Sequence, residues 1–597
     1  MNRKRRQLPK TCAPAIDPTD TGTTTTVTVT GQRKPKNRKT HPGIPDHSSH
    51  KLPPSTTTFK RWVLDSAWEQ VVKGRPVFSE VEDRLNDHPG IHGQLRFDVL
   101  VYGLLLCALD SQNLFLRKAW IILRNLPTRT QRELGVIDHD GNRISYFQVT
   151  HRFKRAKEVI ETIDKTMKGK DDQAVAAWIV EALIRNSIPD DMPPITKVVA
   201  LDSTDIATWG RTSFKRNNKG KWKPHSVTDR DARAGHRPNR NGLAAGVFVG
   251  YDLHYFTDAI DSPTDPMRPR FIRSLALAPA NSAKGKVTLG ATQRLKEQTD
   301  FEVLAADRGY SLLKPTNWAN HISTMKLAKL IDLVILDPRK NRIRGIYDGA
   351  LLIDGRPFSP ALPDELRYLP AFHRDMTEEE RFALAARYDQ RDQYGFVLSR
   401  IDNGKTRWVA PCRKGKVRCP LVPASLRKPL NRDTVHETMH PDRDNMPLCC
   451  DQTTITIPEA AFEGKLQLHA YGTTKWLNAY YQRNQVESAN ANLRTHRYNF
   501  QRGTIRLKGS YAHAIMLAII TVALNIKAAL EWRSRTNMPQ PHPDPEVEAD
   551  RQHLAALKLA KANKAAAKTK AAHRYRTRKH KPKTPAPDPA TGDTNAN

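Results

Sequence analysis

The chain has 597 residues, with 97 Lys and Arg against 62 Asp and Glu, a formal net charge of +35, and 38% hydrophobic residues. That much apolar material excludes a wholly disordered chain, and that much positive charge exceeds what solubility needs and points to a polyanionic partner. The six cysteines (Cys12, Cys107, Cys412, Cys419, Cys449 and Cys450) are too few for a disulfide framework, so a reducing compartment is expected.

Residues 1–59 carry 11 Lys and Arg against 3 Asp and Glu, with a Thr-rich run at 23–30, and read as a disordered basic N-terminal tail. No apolar segment of the secretory kind follows the basic start. Residues 533–597 hold 14 basic against 6 acidic residues, which leaves +19 of the +35 on the chain between the tails. From Lys60 to about Asn186 the apolar spacing is helical, with Phe97–Leu106 as a core helix. Tyr146–Met167 is a second helix whose His151, Arg152, Lys154, Arg155 and Lys157 form a basic face. A helical DNA-binding domain over 60–190 is the expectation.

After Pro193-Pro194 the pattern shortens to strands at Ile195–Leu201, Gly250–Tyr255 and Arg270–Ala278. A helix at Lys286–Gln298, a strand at Glu302–Ala306, a helix at Asn317–Leu330 and a strand at Asp332–Leu336 complete the series. The order β-β-β-α-β-α-β gives an α/β fold, a mixed sheet flanked by helices, and matches the ribonuclease-H-like arrangement. This assigns 191–338 to the first part of a catalytic domain. Residues 339–475 break the alternation and read as a β-rich insertion, with strand-like pieces at Gly395–Leu398 and Thr453–Ile457. Helical spacing returns over 476–535, which closes the catalytic domain, and 536–597 reads as a disordered basic C-terminal tail. The apolar stretch Ala512–Ile526 is a buried closing helix, short of the about 20 residues a membrane span needs, so a cytoplasmic, nucleoid-associated protein without membrane contact is expected.

Three carboxylates stand where metal-dependent phosphoryl transfer would need them. Asp202 and Asp307 each end a strand, and the two strands are neighbours in the expected sheet, so the side chains can share a hard cation such as Mg²⁺. The third is Glu487, in Tyr480-x2-Arg483-x3-Glu487-x6-Arg494. At 100° per residue these four fall within about 60° of one another on one helix face, a Glu flanked by cations suited to phosphate.

That spacing resembles the signature of bacterial insertion-sequence DDE transposases of the Tyr-Arg-Glu-Lys type. Leu201-Asp202-Ser203-Thr204 and Asp307-Arg308-Gly309-Tyr310 resemble that family's other blocks, and Asp229–Arg233 followed by Gly250–His254 resembles the segment between them. The likeness covers roughly residues 195–530, and Arg494 stands where the signature usually has Lys. It implies metal-dependent cleavage at transposon ends and strand transfer. Two Mg²⁺ or Mn²⁺ ions would sit on Asp202, Asp307 and Glu487, with Tyr480, Arg483, Arg494 and Arg308 on DNA. It also implies double-stranded DNA partners (terminal inverted repeats and target) and at least a homodimer, because two ends must be paired. Competing readings are a ribonuclease-H-like nuclease without strand transfer and a catalytically inactive DNA-binding derivative.

Several residues compete for these roles. Asp205, Asp332 and Asp337 are rivals to the two aspartates. Cys412, Cys419, Cys449 and Cys450 could supply four thiolates to zinc, but they lack a Cys-x2-Cys pair, and adjacent cysteines are awkward joint ligands. His225, His236 and His254 read as DNA-facing or core side chains. Trp318 and Trp408 fit core packing better than stacking on an extruded base.

Overall fold

Apolar residues at helical spacing produce α1 (Arg61–Asn86), α2 (Phe97–Leu109), α3 (Leu116–Asn125), α4 (Thr128–Glu133), α5 (Tyr146–Met167) and α6 (Ala177–Asn186). The computed structural model describes residues 59–541, except 87–94, 111–113, 170–171, 217, 219, 221, 238–245, 260–267, 334–342, 374, 437–442, 484 and 494–502, and beyond that only 556, 559, 560 and 563. All of these belong to one unit, His50–Asn597; the other unit, Met1–Ser49, lies outside them, as do nearly all of both expected tails. Helix α2 has no polar face, and all 13 of its residues are buried. Helix α5 starts at a capping box in which the Gln148 amide donates to Ser145 Oγ and the Ser145 amide donates to Gln148 Oε1. Its basic face is narrower than expected, because Arg152 is buried and ion-paired with Glu82 of α1.

The strands that follow are β1 (Val198–Ala207), the hairpin β2 (Thr212–Arg216) and β3 (Trp222–Val227), β4 (Arg233–Arg237), β5 (Gly246–Asp258) and β6 (Ile272–Pro279). Then come α7 (Lys284–Gln298), β7 (Val303–Ala306), α8 (Arg308–Ser311), α9 (Ala319–Thr324) and β8 (Ala328–Ile331). The main sheet is mixed and runs β4-β5-β1-β7-β8, with β6 also paired to β5. Pairs β1–β5, β5–β6 and β4–β5 are antiparallel, and pairs β1–β7 and β7–β8 are parallel.

Three boundaries near the strand ends differ from the expected ones. Strand β1 does not stop at Asp202 but runs on to Ala207, held by β5 as far as the Ala207–Gly250 pair. A Cβ on Gly250 would lie 1.9 Å from the Ile206 carbonyl oxygen, so only glycine lets the two backbones approach there. The helix expected over 317–330 ends at Thr324, and the strand expected over 332–336 forms earlier, as β8. Lys326 takes a left-handed φ of 59°, which stops the helix, and Lys329 is buried in the strand against Glu459 at 2.5 Å. Residues 334–336 lie outside the described residues.

The next stretch holds two small sheets. One, ordered β11-β10-β9, comprises β9 (Ile343–Tyr347), β10 (Ala350–Ile353) and β11 (Arg356–Phe358). The short α10 (Asp364–Arg367) and a 15-residue helix α11 (Glu378–Asp392) follow; α11 was not expected, and it opens with a Thr377–Glu380 capping box and an acidic first turn. The second sheet, ordered β12-β13-β14, comprises β12 (Val397–Asp402), β13 (Lys405–Val409) and β14 (Thr454–Pro458), with the four-residue helices α12 (Pro423–Leu426) and α13 (Leu448–Asp451) between the last two strands. The chain then returns to the main sheet through α14 (Thr474–Arg483), α15 (Gln485–Ala491) and α16 (Ser510–Thr536).

Helix α16 is long and apolar enough to cross a membrane by length and composition alone, yet 83% of its most apolar window is buried inside the protein. It shares a core with α2, α6 and the sheet residues Ala200, Tyr251, Leu253 and Leu277, so the N-terminal helices and α16 cover one face of the sheet together. The opposite face, with Val199, Leu201, Leu304 and Ala306, is closed by α7 and α9. Trp318 and Trp408 are each only 1% exposed and serve as core side chains.

Candidate active site

Strand register assembles the site. Leu201 pairs with Ala306, and Ala306 with Ile331, so the next residue on each of the three parallel strands is Asp202, Asp307 or Asp332. Neighbouring strands stand about 4.8 Å apart, which sets the three carboxylates in a row. Alternation puts them on one face: Asp202 shares the side of Ala200, Asp307 that of Ala305, and Asp332 that of Leu330. Helix α14 lies over this face, where Trp476 packs on Val303, Ala305, Ala328 and Leu330.

Helix α14 ends at Arg483, whose guanidinium joins the row to α15. Its Nη2 lies 2.9 Å from Asp202 Oδ1 and its Nη1 3.2 Å from Glu487 Oε1. Asp202 is 8% exposed and Arg483 9%, whereas the Glu487 side chain is 64% exposed. Burial pushes the Asp202 carboxyl up from its ordinary value; the Arg483 guanidinium opposes that, and Asp307 adds to it. Burial works against the charge on Arg483, but Asp202, Tyr480, Asp307 and Glu487 outweigh it and hold the guanidinium ionised.

The other expected residues fall around this core. Asp307 accepts from the Gly309 amide at 3.0 Å, which starts α8 and fixes its carboxylate. Tyr480 stacks on Trp476 with ring centroids 4.6 Å apart, and its hydroxyl is pushed up by burial and by Asp332, Asp307 and Asp202, against Arg483. Arg308 does not stand free toward solvent: it holds Asp332 at 2.9 Å, although its own side chain is 56% exposed. Arg494 lies outside the described residues. Glu487 reaches the aspartates through Arg483, and among the described residues no three His, Cys, Asp or Glu groups form a ready-made metal cage.

Sequence reasoning missed two members. Asp332 was treated as a rival because the strand was placed after it; one boundary shift moves it to the end of β8, level with the other two. Burial raises its carboxyl, with Arg308 and Arg483 opposing. Lys284, first residue of α7, donates to Ser203 Oγ at 3.1 Å beside Asp202, and no local signal marks it. Of the remaining rivals, Asp205 faces Asp252 across the β1–β5 pair, beyond the row, and Asp337 lies outside the described residues. His254 is fully buried, with Nδ1 2.6 Å from the Tyr310 hydroxyl, while His225 and His236 are exposed. Asp229 and Asp231 are structural: Asp229 accepts from Thr208, Tyr251 and the Gly509 amide, and Asp231 from the Ser510 amide and hydroxyl, which anchors the start of α16 to the sheet.

A cationic groove lies between α15 and α16. Arg268, Arg270 and Arg535 line a space of about 200 Å³ together with Ala489 of α15 and Asn492, and among the described residues Glu531 is the one acidic residue on its wall. No protein-family model matches the chain, and no curated protein compared with it matches either.

Proposed function

We propose that the chain is a DDE transposase that cleaves DNA at transposon ends and transfers the strands. The observation that carries this reading is the link Asp202–Arg483–Glu487 beside Asp307, because it joins carboxylates of distant segments where the parallel pairing of β1 and β7 ends. The strand order β6-β5-β1-β7-β8, antiparallel on one side of β1 and parallel on the other, supports a ribonuclease-H-like fold beneath it.

The donors suit a hard cation, since all are carboxylate oxygens and the crowded Asp202 and Asp307 repel each other unless positive charge lies close. Asp202, Asp307 and Glu487 would hold two Mg²⁺ or Mn²⁺ ions, which supply activation of water or a 3′-hydroxyl and stabilise the leaving oxygen. Arg483 opposes the upward shift that burial imposes on Asp202 and ties Glu487 to it through one guanidinium. The groove of Arg268, Arg270 and Arg535 offers cations to phosphates beside α15, and Tyr480 walls the carboxylate row.

The test is cleavage of labelled double-stranded DNA carrying the element's own end, with Mg²⁺ or Mn²⁺, by the full chain and by Asp202→Asn and Glu487→Gln. The expected result is cutting by the wild type, and binding with at least about a 10³-fold loss of cutting in the variants. Equal cutting by wild type and Glu487→Gln removes Glu487 from the chemistry. Binding without cutting by all three proteins favours the inactive DNA-binding derivative. Cutting without strand joining favours the nuclease.

A further inference from the structure

Four of the six cysteines, contributed by three separate segments, line one cavity of about 20 Å³. Cys412 follows β13, and Cys419 lies in a turn where the Arg418 amide donates to the Asp433 carbonyl at 2.9 Å. Cys449 and Cys450 sit on α13, where the Cys449 amide donates to the Asp348 carbonyl in the β9–β10 turn. None of the four is in a disulfide, and Cys419 is 5% and Cys449 1% exposed. We propose that Cys412, Cys419, Cys449 and Cys450 bind a single structural Zn²⁺ ion. The inference is independent of the DNA-processing function.

The adjacent pair meets the geometry that sequence alone made doubtful. A tetrahedral site with Zn–S bonds of about 2.3 Å has sulfur–sulfur edges of about 3.8 Å. The sulfurs of Cys449 and Cys450 lie 3.9 Å apart, and both residues line the cavity. The Cys412 thiol is hydrogen-bonded to Cys419, and the Arg413 backbone amide is directed at Cys412. Arg413 also donates to the Asp451 carbonyl at 3.2 Å, tying the Cys412 loop to α13. Among the described residues the sulfurs do not form a finished cage, so binding requires them to close on the ion across the cavity. Its volume suits one ion and not an iron–sulfur cluster.

The site also stands where a cross-link is needed. Between β13 and β14 the described regular structure is limited to α12, α13 and one 3₁₀ turn, and Cys412 touches both small cores of this stretch. A tetrahedral ion would join the two cores in a segment with little other support.

The experiment uses the full chain, purified under reducing conditions without chelator. Elemental analysis is expected to give about one zinc per chain, released as a mercurial titrates the thiols. Co²⁺ substituted for the native metal is expected to give thiolate-to-cobalt charge-transfer absorption, a readout on the wild type that needs no variant to fold. Cys412→Ser is expected to lose at least about tenfold in bound metal, and Cys107→Ser, altered in the core of α2, to lose none. Four freely titrating thiols without zinc, a Cys412–Cys419 disulfide found by peptide mapping, or iron in place of zinc each overturns the proposal.

Discussion

His254 shows how one buried side chain behind the site couples to pH. Burial, with Lys284 adding to it, pushes its imidazole down to about 3. An unfolded histidine titrates near 6.5, so between about pH 6.5 and about pH 3 the unfolded chain binds a proton that the folded chain does not. Stability therefore falls on acidification through that window. Urea denaturation at pH 7 and pH 5 is expected to show the advantage of wild type over His254→Gln shrinking by about 2 kcal/mol at the lower pH. A pH-independent gap would mean that the ring takes up its proton inside the fold. At Asp202 burial likewise favours the neutral form and raises the carboxyl, Arg483 opposes that shift, and Asp307 adds to it.

At the scale of elements, α14 is the part that turns a strand-end row into a site. Trp476 anchors it, packed on β7 and β8, with its indole N–H donating to Gln467 Oε1 at 3.2 Å; the same oxygen accepts from the Ile331 amide of β8 at 2.9 Å. Trp476→Ala is expected to cost about 3–5 kcal/mol in chemical denaturation, from lost burial plus the cavity left behind. It is also expected to lower cleavage beyond what the stability loss explains, because Arg483 and Glu487 ride on the anchored helix pair. Unchanged activity in the folded variant would show that β1 and β7 hold the site without α14. The helical spacing of Tyr480, Arg483 and Glu487 was legible from sequence, and the Arg483–Glu487 contact at four residues' separation keeps that stripe across the step from α14 to α15. The β8 boundary was not legible, since a buried Lys329 disguised the strand and a left-handed Lys326 ended the helix early.

Over the whole molecule, the charge of +35 sets the expected binding behaviour. If DNA is the partner, affinity falls linearly in log–log form with salt, by about 0.9 in slope for each phosphate neutralised. Reversing Arg268, Arg270 and Arg535 to Glu is expected to flatten that slope by up to about 3 in filter-binding titrations over a salt series. An unchanged slope would place the DNA track elsewhere on the surface.

Sequence by itself determined the alternation of helix and strand, the apolar helices α2 and α16, and the candidates Asp202, Asp307 and Glu487, because periodicity and short spacing are local properties of a chain. Tertiary structure alone decided what those residues meet. Parallel register levelled Asp332 with Asp202 and Asp307, a guanidinium nearly 300 residues away in sequence joined Asp202 to Glu487, and the folding of 410–452 brought four scattered cysteines to one cavity. It also removed Arg152 from the surface, pairing it with the half-buried Glu82. Contacts between distant segments are fixed by pairing register and packing, and neither is written in the spacing of neighbouring residues.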